Sequence, residues 1–233
     1  MEGESAEERL TRELSKLIQG RTLDVGCGHG EYTCRWADHA DEVVGYDMTE
    51  GFLATANRSY RRPNVRYVLG RTHDGLPFED GYFDFAYTKK GPTSWYPEAA
   101  RILRPGAKLL ALHPGDGNGE GGELGVIFPG LFGMPAPGTP ILDRTLQRMA
   151  AGSLHVQDVQ VLRETTYIPT PGDILAMVCF GQSEPFARWL KAQCYDDIQR
   201  QFELHRDEQG IRTTGFYYLI HAATSDGSGA DRR

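Results

Sequence analysis

Short apolar segments alternate with helical segments along the first half of the sequence, and this alternation constrains the fold more than any other feature. The strands expected there lie at residues 22–25, 42–46, 65–69, 82–87 and 108–113. The helices expected between them lie near residues 32–38, 52–60 and 94–103. Short apolar strands connected by helices are typical of a parallel sheet that is buried on both faces. The pattern therefore predicts an α/β fold with helices on both sides of the sheet.

Further elements are expected at the two ends of the chain. Ser5 and Glu8 have the spacing of a capping box. The apolar residues that follow them at helical spacing are Leu10, Leu14, Leu17 and Ile18. In the second half we expect helices near residues 142–151, 174–180 and 186–205, and strands near residues 156–165 and 211–222. Residues 225–233 are small and polar and are predicted to form a disordered tail.

The composition is ordinary for a single globular domain, which we place at residues 1–224. The chain has 233 residues, of which 39% are hydrophobic and 24% are charged, so it can bury a full core. No apolar run has the length that crosses a bilayer. The cysteines lack CxxC spacing and are expected to be reduced thiols. These features predict a cytoplasmic protein without a metal site.

A glycine-rich turn follows the first of these expected strands. Residues 23–30 read Leu-Asp-Val-Gly-Cys-Gly-His-Gly, and a helix is expected directly after them. Gly26 and Gly28 allow a sharp turn and a close approach of the backbone to a ligand, because no Cβ intervenes. The helix N-terminus adds unpaired N–H groups at the same place. The turn is therefore the leading candidate for a ligand site.

Two acidic residues narrow the class of ligand. The dinucleotide-binding fingerprint has glycine at its sixth position, where this sequence has Glu31. A carboxylate close to the helix N-terminus repels a phosphate but tolerates a cationic ligand. The second strand is followed by Asp47, at the position of the acid that binds ribose hydroxyls in such folds. The pattern thus favours a ribose-containing ligand over a pyrophosphate.

Residues 23–30 and several later segments together resemble the class I S-adenosylmethionine-dependent methyltransferases, in the broad group that includes the ubiquinone and menaquinone enzymes. The later segments are residues 42–47, 76–78, 83–84 and 100–106. The resemblance implies a Rossmann-like, doubly wound fold. Its seven-stranded, mostly parallel sheet has helices on both faces and an antiparallel last strand. The implied cofactor is S-adenosyl-L-methionine.

The resemblance also implies which residues hold the cofactor. Asp24 is expected to bind the amine of the methionine end through water. Asp47 is expected to accept hydrogen bonds from both ribose hydroxyls, and Met48 to lie against the adenine. The residues whose backbone is expected to pass beneath the cofactor are Gly26, Cys27 and Gly28.

The methionine arm and the adenine amino group complete the expected cofactor site. Tyr87 and Thr88, at the end of the fourth strand, are expected to line the methionine arm. Many members of the family bind the adenine amino group with an acid after the third strand, but this chain has Arg71 there. We expect Thr72, through its backbone, or Asp74 to make that contact instead.

The candidates on the acceptor side are four residues near the ends of the fourth and fifth strands. Lys89 is expected to attract an anionic acceptor, and Trp95 or Tyr96 to stack on a ring. His113 ends the fifth strand, where ligand-facing residues gather in open sheets, and is the candidate catalytic base. Two structural explanations stay open: a capped helix start with lysines in solvent, and a histidine bonded to a turn carbonyl.

Together these features predict methyl transfer to a small-molecule acceptor by in-line displacement. The methyl group of a sulfonium is already electrophilic, so alignment matters more than acid–base catalysis. The formal net charge of −7 favours a small molecule over nucleic acid, which requires a basic face. Two alternatives stay open. One is a ribosomal or transfer RNA base methyltransferase that uses the cations of residues 58–66 and 89–90, and the other is a non-catalytic cofactor-binding protein.

Residues 115–140 are rich in glycine and proline and have no sustained periodicity. They follow the fifth strand at the sheet edge where ligands bind in this architecture. With the next helix they form an insertion, residues 114–152, which we place on the acceptor side. Apolar residues such as Phe128 and Leu131 give the segment a surface that needs a partner. We predict a mobile lid, and the alternative is an excursion fixed on the core.

Overall fold

The computed structural model describes residues 4–226, which form eight α-helices and seven β-strands. The helices are α1 (Ala6–Leu17), α2 (Glu31–Cys34), α3 (Glu50–Ser59), α4 (Ala99–Ile102), α5 (Glu123–Ile127), α6 (Pro140–Ala151), α7 (Pro171–Cys179) and α8 (Glu184–His205). The strands are β1 (Arg21–Val25), β2 (Glu42–Asp47), β3 (Val65–Leu69), β4 (Phe83–Lys89), β5 (Leu103–Pro114), β6 (Leu154–Ile168) and β7 (Ile211–Thr224). Among the described residues no helix is both long and apolar enough to cross a membrane.

The seven strands form one sheet in the order β3-β2-β1-β4-β5-β7-β6. The pairs from β3 to β5 are parallel, whereas β7 pairs antiparallel with β5. The predicted fold class, a Rossmann-like doubly wound sheet with an antiparallel last strand, is therefore confirmed. The strand order reverses at β1, with β2 and β3 on one side of it and β4 and β5 on the other. Ligands bind at such a reversal in these folds.

The chain divides into two compact units. The larger unit contains residues 6–114, 140–162 and 217–226 of the described part of the chain. The smaller unit contains residues 115–139 and 163–216, with residues 4 and 5. The single domain expected from the sequence, with residues 114–152 as an insertion, stays a prediction. The expected tail falls mostly on residues 227–233, which lie outside the described residues.

Two apolar clusters fill the larger unit, because successive residues of a strand point to opposite sides. On β5, Leu110 and Leu112 join the cluster that contains Leu10 and Leu14 of α1. Leu109 and its neighbour Ala111 belong to the other cluster, which also holds residues of α4 and α6. Helices therefore cover both sides, as the apolar strands predicted. Leu10 and Leu14 are fully buried, which confirms the apolar face expected for α1.

Two of the predicted helices are shorter than expected. The helix expected near residues 32–38 is a single α-turn, α2, followed by i+3 bonds such as that from the Trp36 amide to the Thr33 carbonyl. The helix expected at 94–103 is divided into a 3₁₀ turn at Tyr96–Glu98 and the short α4. Pro97 at the start of that turn lacks an N–H, which disfavours an uninterrupted α-helix before it.

The smaller unit has its own apolar cluster, built by α5, α7 and α8. Leu124 and Phe128 are buried there against Ile174, Ile198 and Phe202. Helix α5 forms within residues 115–140, where the sequence shows no sustained periodicity and no helix was predicted. A five-residue helix lacks the length for a clear periodic signal. The lid function itself stays a prediction, and the burial of Leu124 and Phe128 favours its alternative for α5, a segment fixed on a core.

We expect the amides of Val126 and Phe128, which donate to the Gly122 and Leu124 carbonyls, to be protected from hydrogen exchange with and without ligand. Burial of Leu124 and Phe128 makes local opening of α5 costly. Hydrogen exchange with mass spectrometry measures this, with residues 133–139 as the internal reference for exposed loop. Protection that appears only after ligand is added would support the lid instead.

Candidate cofactor site

The glycine turn leaves β1 with backbone angles that only glycine adopts easily. Gly26 has φ of +82° and Gly28 has φ of +56°. The amides of Gly26 and Cys27 both donate to the Tyr46 carbonyl of β2, at 2.8 and 3.2 Å. The turn is thus fastened to the neighbouring strand, and a side chain at either glycine would strain it.

Asp47 at the end of β2 connects the turn to the start of α3. Its Oδ2 accepts a hydrogen bond from the Gly28 amide at 2.9 Å, and its Oδ1 accepts one from the Thr49 amide at 2.8 Å. Each carboxylate oxygen has a further lone pair, so Asp47 can still accept from a ligand. The side chain is half-buried, which leaves that capacity accessible.

Two cavities lie on either side of the glycine turn, and both are lined by Gly26 and Gly28. The first has a volume of about 530 Å³; its other lining residues include Glu7, Thr11, Cys27, Tyr32, Arg35 and Lys89. The second has a volume of about 440 Å³; its other lining residues include Asp47, Met48, Phe52, Arg71, Thr72 and Lys90. Seven of the predicted site residues therefore line one or both cavities.

The residues lining the two cavities fit the two ends of S-adenosylmethionine. In the second cavity, Asp47 is a charged acceptor for ribose hydroxyls, and Met48 is an apolar surface that is 62% exposed. The first cavity carries both signs of charge, for example Glu31 and Arg35, as an amino-acid end with an ammonium and a carboxylate requires. A Cβ at Gly28 would have no neighbouring atom within 4 Å, so the backbone there is open to a ligand.

Asp24 lies beneath the turn and lines neither cavity. It is only 2% exposed, and its Oδ2 accepts hydrogen bonds from the Thr33 hydroxyl at 2.7 Å and the Tyr87 hydroxyl at 2.8 Å. Burial raises the pKa of Asp24 to about 6, because its effect exceeds that of the two hydrogen bonds, which lower the pKa. Its contact with the methionine amine through water stays a prediction.

Tyr87 and Thr88 are fully buried, so the expectation that they line the methionine arm does not hold in this structure. Tyr87 points into the cluster under α1, where its hydroxyl donates to Asp24. Thr88 donates to the Val25 carbonyl at 2.6 Å. Both side chains connect β4 to β1 and thereby support the turn from below.

Cys27 contributes backbone to the first cavity, while its side chain is directed into the protein. Its Sγ packs beneath the second strand, where a Cβ at Gly45 would be 2.9 Å from it. Burial raises the pKa of the Cys27 thiol well above its usual range. The thiol is therefore neutral at physiological pH and cannot act as a nucleophile.

Three acceptor-side candidates are buried and line neither cavity. Trp95 and Tyr96 have no exposed surface, so neither ring can stack on an acceptor in this structure. His113 is 3% exposed, and its Nε2 shares a hydrogen bond of 2.6 Å with the Tyr96 hydroxyl. Burial lowers the pKa of His113 to about 4. The expectation of an accessible base is corrected: the imidazole is neutral and already bonded.

Several lining residues were not expected from the sequence, and those on α1 are the clearest case. Glu7 and Thr11 line the first cavity together with Tyr32 and Arg35. The Thr11 and Tyr32 hydroxyls are 3.0 Å apart, which ties α1 to the helix that follows the turn. An acidic residue in the first turn of a helix usually indicates only a favourable interaction with the helix dipole. The sequence position of Glu7 therefore did not indicate a ligand site.

Comparison with known proteins shows what this arrangement is similar to. Residues 23–111 match a family model described as a methyltransferase domain. The chain is 34% identical to 27-O-demethylrifamycin SV methyltransferase of Amycolatopsis mediterranei, in an alignment covering 46% of this chain and 44% of that protein. It is 29% identical to demethylmenaquinone methyltransferase of Staphylococcus saprophyticus, with coverages of 45% and 48%. The chain spans about half the length of these curated relatives.

Solved structures share the fold at low sequence identity. The crystal structure of the [4+2]-cyclase SpnF superposes with a TM-score of 0.59 at 19% identity, covering 94% of this chain and 81% of that chain. Likeness at this identity shows the architecture alone.

We expect Asp24→Asn to be more stable than the wild type above pH 6 and to lose this advantage near pH 4. The folded-state pKa of about 6 exceeds the ordinary 3.8, so the folded protein binds more protons between these values. Stability of the wild type therefore falls as pH rises through that window, by up to about 3 kcal/mol. Denaturant unfolding of the ligand-free proteins from pH 4 to pH 8 measures this.

The control for this prediction is Asp38→Asn, which changes an acid whose side chain is 74% exposed. Its stability curve should run parallel to that of the wild type. A constant difference between Asp24→Asn and the wild type across the pH range would show that Asp24 ionises normally in the folded state.

Proposed function

We propose that this chain is a class I S-adenosylmethionine-dependent methyltransferase and that it transfers a methyl group to a small-molecule acceptor by in-line displacement. The match of residues 23–111 to a methyltransferase domain supports the proposal. The single observation that supports this best is the pair of cavities meeting at the glycine turn. Asp47 in one cavity and the mixed charges of the other suit the ribose and the amino-acid end of this cofactor.

In this proposal the chain's own residues bind and orient rather than perform acid–base chemistry. When bound, S-adenosylmethionine supplies an electrophilic methyl group on a sulfonium. Asp47 holds the ribose hydroxyls, the backbone of Gly26 and Gly28 supports the cofactor from below, and Met48 covers the adenine. Arg71 lines the cavity where an acid is usual, so the adenine contact falls to Thr72. Alignment and exclusion of water then supply most of the rate enhancement.

A small-molecule acceptor is supported by the electrostatics of the surface cations. Arg62 pairs with Asp38 and Arg66 pairs with Glu42, so two of the arginines that suggested RNA binding are neutralised. Lys89 is likewise paired with a carboxylate. Neutralised cations add little to phosphate binding, which depends on release of counterions by uncompensated positive charge. The curated relatives named above are enzymes for rifamycin-type and menaquinone-type precursors, which are small molecules.

The second candidate function is a cofactor-binding protein that does not transfer methyl groups. The architecture is shared with SpnF, which is named as a [4+2]-cyclase and not as a methyltransferase. This likeness favours a second candidate function, because one architecture can serve different reactions. The two functions differ in one observable. A methyltransferase converts S-adenosylmethionine to S-adenosylhomocysteine in the presence of an acceptor, whereas a cofactor-binding protein leaves it unchanged.

To identify the acceptor, formation of S-adenosylhomocysteine is measured with panels of hydroxylated quinols, macrocyclic phenols and carboxylic acids. Transfer RNA is tested in the same assay for comparison. We expect turnover with one of the small-molecule panels. Turnover with transfer RNA alone would overturn the small-molecule proposal. Tight cofactor binding without turnover on any panel would favour the second candidate function.

We expect Asp47→Ala to weaken binding of S-adenosylhomocysteine by about 1–3 kcal/mol, because two ribose hydroxyls lose a charged acceptor. The substitution also removes the partner of the Gly28 amide, which loosens the turn. Isothermal titration calorimetry measures the affinity. The matched control is Asp38→Ala, which removes an acid that lines neither cavity. Equal affinity of a folded Asp47→Ala and the wild type would refute the ribose assignment.

A further inference from the structure

Two lysines at the end of β4 are held by a single carboxylate on α1. The Oε2 of Glu7 lies 3.2 Å from the Lys89 ammonium, and its Oε1 lies 2.7 Å from the Lys90 ammonium. Lys89 also lies 4.4 Å above the ring of Tyr32, and Lys90 lies 4.7 Å above the ring of Tyr217. The start of α1 is therefore fastened to the end of β4 through Glu7.

The two lysines line different cavities. Lys89 and Glu7 line the first cavity, whereas Lys90 lines the second. Glu7 therefore pairs with one lysine from the lining of each cavity. Lys90 belongs to a turn with Gly91 and Pro92, and all three residues line the second cavity.

This turn lies directly against the first glycine of the cofactor turn. A Cβ at Gly26 would be 2.9 Å from the Cδ of Pro92 and 3.0 Å from the Cα of Gly91. Gly28, in contrast, would have no neighbour within 4 Å. One glycine of the turn is thus covered and the other is open. Both cavities are lined by Gly26 as well as Gly28, so a ligand that spans them lies against the covered glycine as well as the open one.

The backbone of the covering turn is in an unfavourable conformation. Lys90 has φ of +58°, in the left-handed region that residues with a Cβ rarely adopt. Its amide donates to the Leu112 carbonyl at 2.7 Å, which helps to hold the turn in place. Backbone strain of this kind persists only where surrounding contacts impose it, and it is concentrated at ligand clamps and switches. Loss of the contacts made by the Lys90 side chain favours relaxation of the turn.

We propose that Glu7 is a latch that holds the Lys90-Gly91-Pro92 turn over Gly26 and has to open before S-adenosylmethionine can span both cavities. The inference rests on the proposed function, because it assigns a regulation to the same cofactor site. Partial burial acts to raise the pKa of Glu7, but the two lysines outweigh it and leave that pKa below its usual value. Glu7 is therefore ionised at neutral pH, and the latch is closed under the conditions in which the protein works.

The test is the rate at which S-adenosylhomocysteine associates with the full chain, measured by stopped-flow tryptophan fluorescence. This ligand carries no net charge at neutral pH, so removing one protein charge does not change its electrostatic steering. We expect Glu7→Gln to bind about two- to fivefold faster than the wild type, since partly exposed ion pairs are individually weak. The matched control, Glu13→Gln, removes a carboxylate of the same helix that pairs with Arg9 and Lys16 and should bind at the wild-type rate.

A salt series on the wild type gives an independent measurement that needs no folded variant. Salt screens exposed ion pairs, so raising it should accelerate association with the wild type and leave Glu7→Gln unaffected. Equal rates for the wild type and Glu7→Gln, or no acceleration of the wild type by salt, would overturn the latch while leaving the proposed function intact. A wild-type protein that does not bind S-adenosylhomocysteine at all would overturn both.

Discussion

The parallel register of β1 with its two neighbours is the constraint on which the whole site depends. Val25 pairs with Tyr46 of β2, and Asp24 pairs with Tyr87 of β4. Because the strands run in the same direction, their carboxyl ends meet at one edge of the sheet, and the residues that follow them come together. A slip of one residue in either pairing would reverse which side chains face the core and separate Asp47 from the Gly28 amide.

The same edge of the sheet holds a buried polar network that lowers the stability of the folded protein. Asp24 is buried at the end of β1, where its charge is poorly solvated, and it is retained beside hydroxyls from α2 and β4. An apolar residue of similar size would relieve this cost but would leave the Thr33 and Tyr87 hydroxyls without an acceptor. The buried carboxylate therefore lowers stability through its own desolvation while it supplies the acceptor that these two hydroxyls need.

The sequence predicted the elements that depend on local pattern and missed the features that depend on packing. The strands, the glycine turn and the position of Asp47 follow from apolar runs and turn residues, and the structure has all of them. The amphipathic pattern of α1 predicted that the helix packs on the core, but it did not predict on which part of the core. The sequence therefore did not indicate that Glu7 lines a cavity. Glu7 is identified only once α1 is placed beside the end of β4.

Three of the four acceptor-side candidates are buried, for a related physical reason. The rule that ligands gather at strand ends locates a residue's Cα but not the direction of its side chain. His113 lies at the expected strand end, yet its side chain points inward, where it pairs with Tyr96. Trp95 carries so much apolar surface that burial in the core outweighs exposure at the rim. A strand-end position alone is therefore weaker support for a ligand contact than a polar side chain that has no partner in the core.

The positions of the groups with shifted pKa values bear on the kind of reaction the site can support. Asp24, Cys27 and His113 have strongly shifted pKa values because they are buried, and their side chains lie beneath the ligand surface rather than facing a ligand. Enzymes that depend on proton transfer place such groups within reach of the substrate. Methyl transfer from a sulfonium does not require this, because its leaving group departs neutral and its main barrier is alignment. Buried, shifted groups and a ligand surface built from backbone and Asp47 are consistent with a reaction that the protein accelerates by positioning.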